Sequence, residues 1–358
     1  MATRTLRRVG SADPNALRFG FVAKFHGICI RCGKAINPGD AISKDGRGRP
    51  AQSGFYGKKY FHVVCNSRPL EKAPEKVAPE QEQKRELPKI DVSRWIDTVQ
   101  AVRRVAAQHR AQIVISPRAS IKGAQLLRAG VSAKDTVEAI FGRYRGHNMW
   151  ATIGAEAESF ARTFVVPVTD AQEKWAKIAA RAGAQHRAFK ALVMLSMALG
   201  EDDRNIWLAG PAGSGKTTAA RKLADCLNMS DRFEFNGAID TEYKLSGFVD
   251  AKGRVVSTAF RRIWENGGVY LFDECDASMA GALLAFNAAL ANGFAAFPDG
   301  TIKRHKDCYI VAAANTWGFG GDAEYIGRAK LDAAFLDRFV TLTWQYDEDL
   351  ERKIALAA

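Results

Sequence analysis

Three short apolar runs stand out in the C-terminal half of the chain. They cover residues 205–209, 269–272 and 308–314. Runs of this length are typical of strands that are buried on both faces of a parallel sheet. Residues 218–227, between the first two runs, have the composition of a helix. This alternation predicts an α/β fold with a parallel sheet, in which ligands bind at the C-terminal ends of the strands.

The region before these runs has a helical pattern. Apolar residues in 92–110 recur at helical spacing, and Ser116 followed by Pro117 predicts the start of a second helix. Gly130 is expected to end that helix. The apolar run at residues 160–168 predicts a strand, and residues 170–182 predict a helix that leads into the sheet domain.

The first apolar run leads into a segment with the pattern G-x-x-x-x-G-K-T. Glycines let backbone N–H groups point at phosphate oxygens, Lys216 supplies a positive charge, and Thr217 supplies a hydroxyl ligand for Mg²⁺. A glycine-rich turn without a nucleotide is the alternative, but the flanking strand and helix favour a phosphate-binding loop. The predicted ATP-binding residues are Gly210, Pro211, Ala212, Gly213, Ser214, Gly215, Lys216, Thr217 and Thr218.

Polar residues follow the other two apolar runs. Asp273 and Glu274 end the second run, and Asn315 ends the third. Asp273 is expected to hold Mg²⁺ with Thr217, and Glu274 is expected to act as the general base that activates the attacking water. Asn315 is then placed to orient that water. Each residue also has a structural explanation, since acids often follow strands and Asn often caps turns.

The order of these motifs resembles the AAA+ ATPases, and more narrowly their MoxR-type and cobaltochelatase small-subunit-like branch. The match covers roughly residues 186–358. It implies that Asn315 is the sensor 1 residue. It also implies that Arg338, in Asp-Arg-Phe, is an arginine finger for a neighbouring subunit's nucleotide, with Arg328 as a second candidate. A salt bridge within the chain is the alternative for Arg338. The resemblance further implies β-hairpins at residues 247–253 and 294–306.

In this family a small helical lid normally follows the core. Here the segment Ser-Pro-Arg-Ala at residues 116–119 resembles the start of the lid helix, although it precedes the core. The resemblance implies that Arg118 is the sensor 2 residue, which contacts nucleotide phosphate. Residues 91–150 are therefore expected to form a lid-like domain N-terminal to the core, as in a circular permutation. An ordinary N-terminal helical domain is the alternative.

Four residues near the N-terminus have the spacing of a structural zinc site. Cys29 and Cys32 form one close pair, and His62 and Cys65 form another. Two such pairs separated by a loop predict a tetrahedral Cys₃His site for Zn²⁺. The spacing resembles the PARP-like zinc finger and also the first half of a LIM module. Four unligated residues are the alternative, but a module this small needs a metal to fold.

Charge is unevenly distributed along the chain. The net charge is +13, yet residues 1–70 hold 13 Lys and Arg against 3 Asp and Glu, whereas residues 201–358 hold 18 against 23. Basic residues are interspersed with aromatic ones between positions 47 and 61, namely Arg47, Arg49, Lys58 and Lys59 with Phe55, Tyr56, Tyr60 and Phe61. This mixture suits phosphate contacts and base stacking. We therefore expect the zinc module to bind nucleic acid. A solvated basic face around a small metal domain is the alternative.

A charged segment with three prolines follows this module and predicts a solvated tether. Six cysteines are too few for a disulfide framework, and no apolar segment is long enough to span a membrane, so we expect a cytoplasmic protein without a membrane partner. The predicted domains are the zinc module, the linker, the lid-like domain, a connector and the ATPase core, at residues 1–70, 71–90, 91–150, 151–185 and 186–358.

These features together predict an ATPase that uses ATP, Mg²⁺ and Zn²⁺. Because Arg338 is expected to act on a neighbour's nucleotide, we predict a homo-oligomeric ring, with a hexamer as the favoured size. The leading hypothesis is a helicase, loader or remodeller recruited to nucleic acid through the zinc finger. The alternative is a MoxR-like chaperone that remodels a protein partner or assists metal or cofactor insertion. A nucleotide-gated scaffold is a third hypothesis, which the full set of catalytic residues disfavours.

Overall fold

The computed structural model describes residues 90–357, together with the backbone of five short strands within residues 21–62. The chain divides into two units, Met1–Arg85 and Glu86–Ala358. The strands of the first unit are β1 (Phe21–Val22), β2 (Gly27–Ile28), β3 (Ala35–Ile36), β4 (Ala41–Ser43) and β5 (Phe61–His62). β4 pairs antiparallel with both β1 and β5, and β2 pairs antiparallel with β3. The predicted zinc ligands Cys29, Cys32 and Cys65, and the side chain of His62, lie outside the described residues.

The second unit begins with a layer of five helices, hereafter the helical layer. These are α1 (Ser93–Gln108), α2 (Pro117–Ala129), α3 (Ala133–Phe141), α4 (Trp150–Ile153) and α5 (Ala155–Thr163). The hydroxyl of Ser116 accepts a hydrogen bond from the Arg118 N–H at 3.0 Å, and Pro117 occupies the first turn of α2. Gly130 ends α2 with a φ of +97°. The helices predicted from residues 92–130 are confirmed.

The strand predicted at residues 160–168 is wrong. α5 continues to Thr163, with Ala157 and Phe160 on its buried face, three residues apart. Val165 and Val168 follow the helix and are 85% and 83% exposed, so this part of the run buries no apolar face on which a strand could pair. The helix predicted next is confirmed as α6 (Asp170–Ala180), which is followed by α7 (Phe189–Ala198).

The remaining elements form a sheet with helices on both faces and two hairpins. They are β6 (Asn205–Ala209), α8 (Lys216–Cys226), β7 (Phe233–Asn236), α9 (Tyr243–Ser246), β8 (Phe248–Val249), β9 (Val255–Val256), α10 (Ala259–Asn266), β10 (Gly268–Phe272), α11 (Leu283–Asn292), β11 (Phe294–Phe297), β12 (Gly300–Lys303), β13 (Cys308–Ala314), α12 (Ala333–Leu336), β14 (Val340–Thr343) and α13 (Glu348–Ala357). The sheet has the strand order β14-β6-β13-β10-β7, and every neighbouring pair is parallel. The predicted α/β class is confirmed.

Each sheet face packs into its own hydrophobic cluster. Alternate residues of β6 show the division: Ile206 and Leu208 face one cluster, and Trp207 and Ala209 face the other. The first cluster also contains the buried side chains of the helical layer, and α3 packs on β14. The helical layer and the sheet therefore share one core.

The two hairpins implied by the family resemblance are present. β8 pairs antiparallel with β9 between α9 and α10, and β11 pairs antiparallel with β12 after α11. Within the described part of the chain, every helix is too short or too polar to cross a bilayer.

Candidate ATP-binding and hydrolysis site

The loop between β6 and α8 has backbone geometry that its glycines permit. Gly213 and Gly215 have φ values of +76° and +87°, in the region that other residues rarely adopt. A β-carbon at Gly210 would lie 1.7 Å from the carbonyl oxygen of Trp344, so the loop and the segment after β14 can approach this closely only at a glycine. The loop then enters α8 at Lys216, and the helix N-terminus favours an anion.

Lys216 is held at the centre of this loop. Its ammonium donates to the carbonyls of Gly210 and Pro211 at 2.7 and 2.8 Å, and to the side-chain oxygen of Asn315 at 3.1 Å. Burial lowers the pKa of Lys216, and the charge of Asp273 opposes that shift. The structure thus brings the loop lysine to Asn315 at the end of β13, as parallel neighbours in a sheet allow.

Thr217 and Asp273 form the second part of the site. The Thr217 hydroxyl donates to the Asp273 carboxylate at 2.7 Å, so these two oxygen ligands can reach one cation. Their chemistry fits Mg²⁺. Glu274 is exposed beside them, and its φ of +49° is unusual for a residue with a side chain. Backbone conformations of this kind concentrate at functional sites.

A buried carboxylate joins the ends of β10 and β13. Asp276 is fully buried, and one oxygen accepts from the N–H groups of Asn315 and Thr316 at 3.2 and 2.9 Å and from the Thr316 hydroxyl at 2.9 Å. Its other oxygen lies 3.4 Å from the Arg328 guanidinium, whose side chain is 13% exposed. Asp276 therefore holds the backbone of Asn315 and pairs with Arg328 of its own chain.

Aromatic residues from two later segments close over the loop. The Ala212 N–H donates to the Tyr325 hydroxyl at 3.2 Å, and the Tyr346 hydroxyl donates to the Ala212 carbonyl at 2.9 Å. The indole of Trp344 donates to the Ser214 carbonyl at 3.0 Å. The loop is thus supported from outside its own motif.

Arg338 and Arg118 lie together at a different place. The Arg338 carbonyl accepts a hydrogen bond from the side chain of Asn205, the first residue of β6. Lys216 comes after the other end of this strand, and the five residues of the strand span about 15 Å. The Arg338 Nε donates to Asn287 at 3.0 Å. Arg118 contacts Asp337 at 3.4 Å. Burial lowers the pKa of Arg338, and the charge of Arg118 lowers it further.

Several residues that shape these sites were not predicted from the sequence. Asp276 had a signal, since it is an acid three residues after Asp273. Lys122 also had one, because it is a cation on the apolar stripe of α2. Trp344 and Tyr346 gave no local signal, since they meet the phosphate-binding loop only through the fold.

The parallel sheet, the loop and the acids at its strand ends define a P-loop nucleoside triphosphatase. Residues 206–340 match the sequence model of the family described as ATPase family associated with various cellular activities (AAA). This match supports an ATPase domain within residues 206–340. No curated protein matches the sequence.

One solved structure similar to this chain is described as a putative ATPase from Cytophaga hutchinsonii. The two share 18% sequence identity with a TM-score of 0.37. The similarity covers 51% of this chain and 54% of the other, so the chain spans about half of that protein's length.

Proposed function

We propose that ATP is hydrolysed at a site that a neighbouring copy completes with Arg338, in a homo-oligomeric ring. The position of Arg338 carries this proposal. Its main chain lies at the opposite end of β6 from Lys216 of its own chain, which favours action on a neighbour's nucleotide. One guanidinium nitrogen of Arg338 is also buried without a hydrogen-bond partner among the described residues. A hexamer is the ring size that the family resemblance favours.

Each residue of the site then has a separate role in hydrolysis. Backbone N–H groups of the loop and the Lys216 ammonium bind the phosphates of ATP. Thr217 and Asp273 would hold Mg²⁺, which when bound neutralises phosphate charge. The Glu274 carboxylate accepts a proton from the water whose oxygen attacks the terminal phosphorus, and Asn315 orients that water. The bond to the bridging oxygen breaks, which gives ADP and phosphate.

The contribution from a neighbour is tested by mixing two inactive variants. Lys216→Ala removes nucleotide binding but keeps Arg338, and Arg338→Ala keeps the nucleotide site. Each alone should lose at least about 99% of the ATPase rate, since an arginine of this kind contributes roughly 10³-fold or more. Mixed in equal amounts they should recover measurable activity, because the first variant supplies Arg338 to the second. An inactive mixture that still assembles would contradict the proposal.

We further propose that the N-terminal module recruits nucleic acid, so that the ATPase acts as a helicase, loader or remodeller. The charge of residues 1–70 supports this, with 13 Lys and Arg against 3 Asp and Glu. Phosphate binding by such a surface should weaken steeply as salt rises. We expect single- or double-stranded DNA to stimulate the ATPase rate at low salt and to do so less at moderate salt.

A matched pair of charge reversals assigns the DNA contact. Lys58→Glu with Lys59→Glu should remove most of the stimulation, because both lysines lie in the aromatic and basic segment. Lys72→Glu with Lys76→Glu makes the same change in the charge-balanced linker and should leave the stimulation nearly unchanged. Equal effects of the two pairs would refute a specific role of the module.

The zinc site is part of this proposal and has its own measurement. Metal analysis of the purified protein should find about one zinc per chain, as expected for four ligands Cys29, Cys32, His62 and Cys65. Cys32→Ser should lower zinc content and DNA stimulation together while basal ATPase activity persists. A protein that holds no zinc would remove the finger from the proposal.

A MoxR-like chaperone is the second candidate, and one surface favours it. A groove of about 440 Å³ lies between the two hairpins and is lined by Tyr243, Phe248, Val249 and Phe297 among others. Tyr243 is 58% exposed and Phe248 is 48% exposed, and exposed apolar surface of this kind suits a protein substrate. An ATPase rate indifferent to DNA, with protein captured by Glu274→Gln in ATP, would favour this function.

A further inference from the structure

Two cations donate to four consecutive main-chain carbonyls, which begin with the last residue of α12. The Lys122 ammonium donates to the carbonyls of Asp337 and Arg338 at 3.0 and 2.6 Å. The Arg143 guanidinium donates to the carbonyl of Leu336 and, at 2.6 Å, to that of Phe339. The segment that carries Arg338 is therefore held along its whole length, residue by residue.

Both cations belong to the helical layer and both are buried. Lys122 lies on α2 and is 2% exposed, and Arg143 lies in the turn after α3 and is 6% exposed. Burying a cation costs free energy unless hydrogen bonds or opposite charges compensate for it. The hydrogen bonds to the carbonyls are therefore needed to offset the burial of these two cations. Nothing in these bonds involves the side chain of Arg338, since the acceptors are main-chain oxygens.

The neighbouring carboxylate is held by the same layer. The Ser116 hydroxyl donates to the Asp337 carboxylate at 2.7 Å, and Arg118 lies 3.4 Å from it. The start of α2 thus binds the side chain of Asp337, and Lys122, one turn later, donates a hydrogen bond to the carbonyl of Asp337. α2 therefore contacts both the side chain and the main chain of the residue before Arg338.

The side chain of Arg338 is aimed by a different element. Its Nε donates to Asn287 on α11, and its carbonyl also accepts from Asn205. Two sets of contacts therefore determine where the guanidinium lies. The helical layer holds the main chain of the segment, and α11 holds the side chain of Arg338. A group that must meet a developing charge loses most of its effect when it is misplaced by about 1 Å.

We infer that Lys122 and Arg143 are positioning residues that let the helical layer set the place of Arg338, and hence the activity of the neighbouring subunit. The inference rests on the proposed action of Arg338 on a neighbour's ATP. It predicts that a defect at Lys122 is felt in the next subunit's site and not in the site of its own chain.

The experiment uses full-length chains in the mixture already described. The donor chain carries Lys216→Ala and supplies Arg338, and the acceptor chain carries Arg338→Ala and binds ATP. Lys122→Met is added to the donor in one mixture and to the acceptor in another. Lys134→Met, at an exposed lysine of α3, is the matched control. Tryptophan fluorescence and size-exclusion chromatography verify that each chain folds and assembles, and Lys122→Gln, which keeps an amide donor, is run in parallel.

The two placements of the variant should give different results. On the donor, Lys122→Met should lower the recovered kcat about 10-fold or more with KM for ATP changed less than about 2-fold, because a misplaced arginine weakens the transition state alone. On the acceptor, which has lost Arg338, the same variant should change kcat less than about 2-fold. Lys122→Gln should show the same asymmetry with a smaller loss, and Lys134→Met should have no effect on either chain.

Other outcomes separate the two proposals. Equal losses on donor and acceptor, or no loss on either, would overturn the positioning role while the action in trans stands. A parent mixture that assembles but recovers no activity would overturn the action of Arg338 on a neighbour, and the inference with it.

Discussion

The buried ammonium of Lys122 gives the protein a stability that depends on pH. Burial lowers the pKa of Lys122 from its ordinary value of 10.5 to about 7, against the attraction of Asp203 and Asp337. Arg143 and Arg118 lower it as well. In the unfolded chain this lysine regains its ordinary pKa, so unfolding takes up a proton at any pH between these two values.

The sign of the effect follows from that proton. Below about pH 7 the lysine is charged in both states, and the charge costs the folded state about 5 kcal/mol relative to a neutral amine. As pH rises the folded state is neutral while the unfolded state still carries the proton, so the free energy of unfolding increases with pH. Between about pH 7 and about pH 9 the expected gain from this residue alone is about 2 kcal/mol.

Urea unfolding of the wild type and of Lys122→Met tests this. All seven tryptophans lie within residues 95–344, so intrinsic fluorescence follows the unit that contains Lys122. Methionine fills a similar volume but does not titrate. The difference in unfolding free energy between the two proteins should shift by about 2 kcal/mol in favour of the wild type across this pH range. Lys134→Met, at an exposed lysine, should show no such shift.

A constant difference between wild type and Lys122→Met at every pH would refute the reasoning. It would mean that Lys122 keeps its ordinary pKa when folded, and that its bonds to the carbonyls of Asp337 and Arg338 compensate fully for burial. Lys122 would then donate to these carbonyls as a charged ammonium throughout the physiological pH range.

Three further variants probe the catalytic site. Glu274→Gln should leave the ATP Kd within about 2-fold and lower turnover about 100-fold or more, since an amide cannot accept the proton; nucleotide titration and steady-state rates measure both. Gly210→Ala should weaken ATP binding at least about 10-fold, because its β-carbon meets the carbonyl of Trp344 and forces the loop away. Asp276→Asn should lower the free energy of unfolding by about 3 kcal/mol, because Arg328 loses its buried partner; urea unfolding measures this.

Each variant has a matched control elsewhere in the chain. Glu242→Gln removes an exposed carboxylate, Gly281→Ala adds a methyl where no atom lies within 4 Å, and Asp240→Asn removes an exposed ion pair with Lys244. We expect little change from any of them, and at most about 1 kcal/mol from the last. Full turnover by Glu274→Gln, tight ATP binding by Gly210→Ala, or unchanged stability of Asp276→Asn would each contradict the role given to that residue.

Much of the fold could be predicted because local chemistry decides it. The strand before Gly210 and the helix after Lys216 follow from the motif and its flanks, and both are present. Ser116, Pro117 and Gly130 set the ends of α2 through bonds and dihedral angles within a few residues. The two hairpins, which are also present, were implied by the family resemblance and not by local chemistry alone.

The wrong prediction at residues 160–168 shows where local pattern fails. An apolar run can be a strand, a helix or an exposed segment, and burial decides between them. Here Phe160 lies in α5, and its ring packs against the rings of Trp95 and of Phe164, the residue that follows the helix. Val165 and Val168 are exposed and so do not supply the buried face that a strand needs. The number of apolar residues in the run does not reveal this exposure.

The sequence by itself was enough to predict that this chain binds a nucleoside triphosphate, because the residues expected to hold phosphate and Mg²⁺ are close in sequence or end neighbouring strands. Only the tertiary structure decided how those residues are held. Lys122 and Arg338 are 216 positions apart in the sequence. Asp276 and Thr316, which bond to each other, follow two neighbouring strands, β10 and β13. Such partners are selected by burial, which makes an unpaired polar group costly wherever the fold places it.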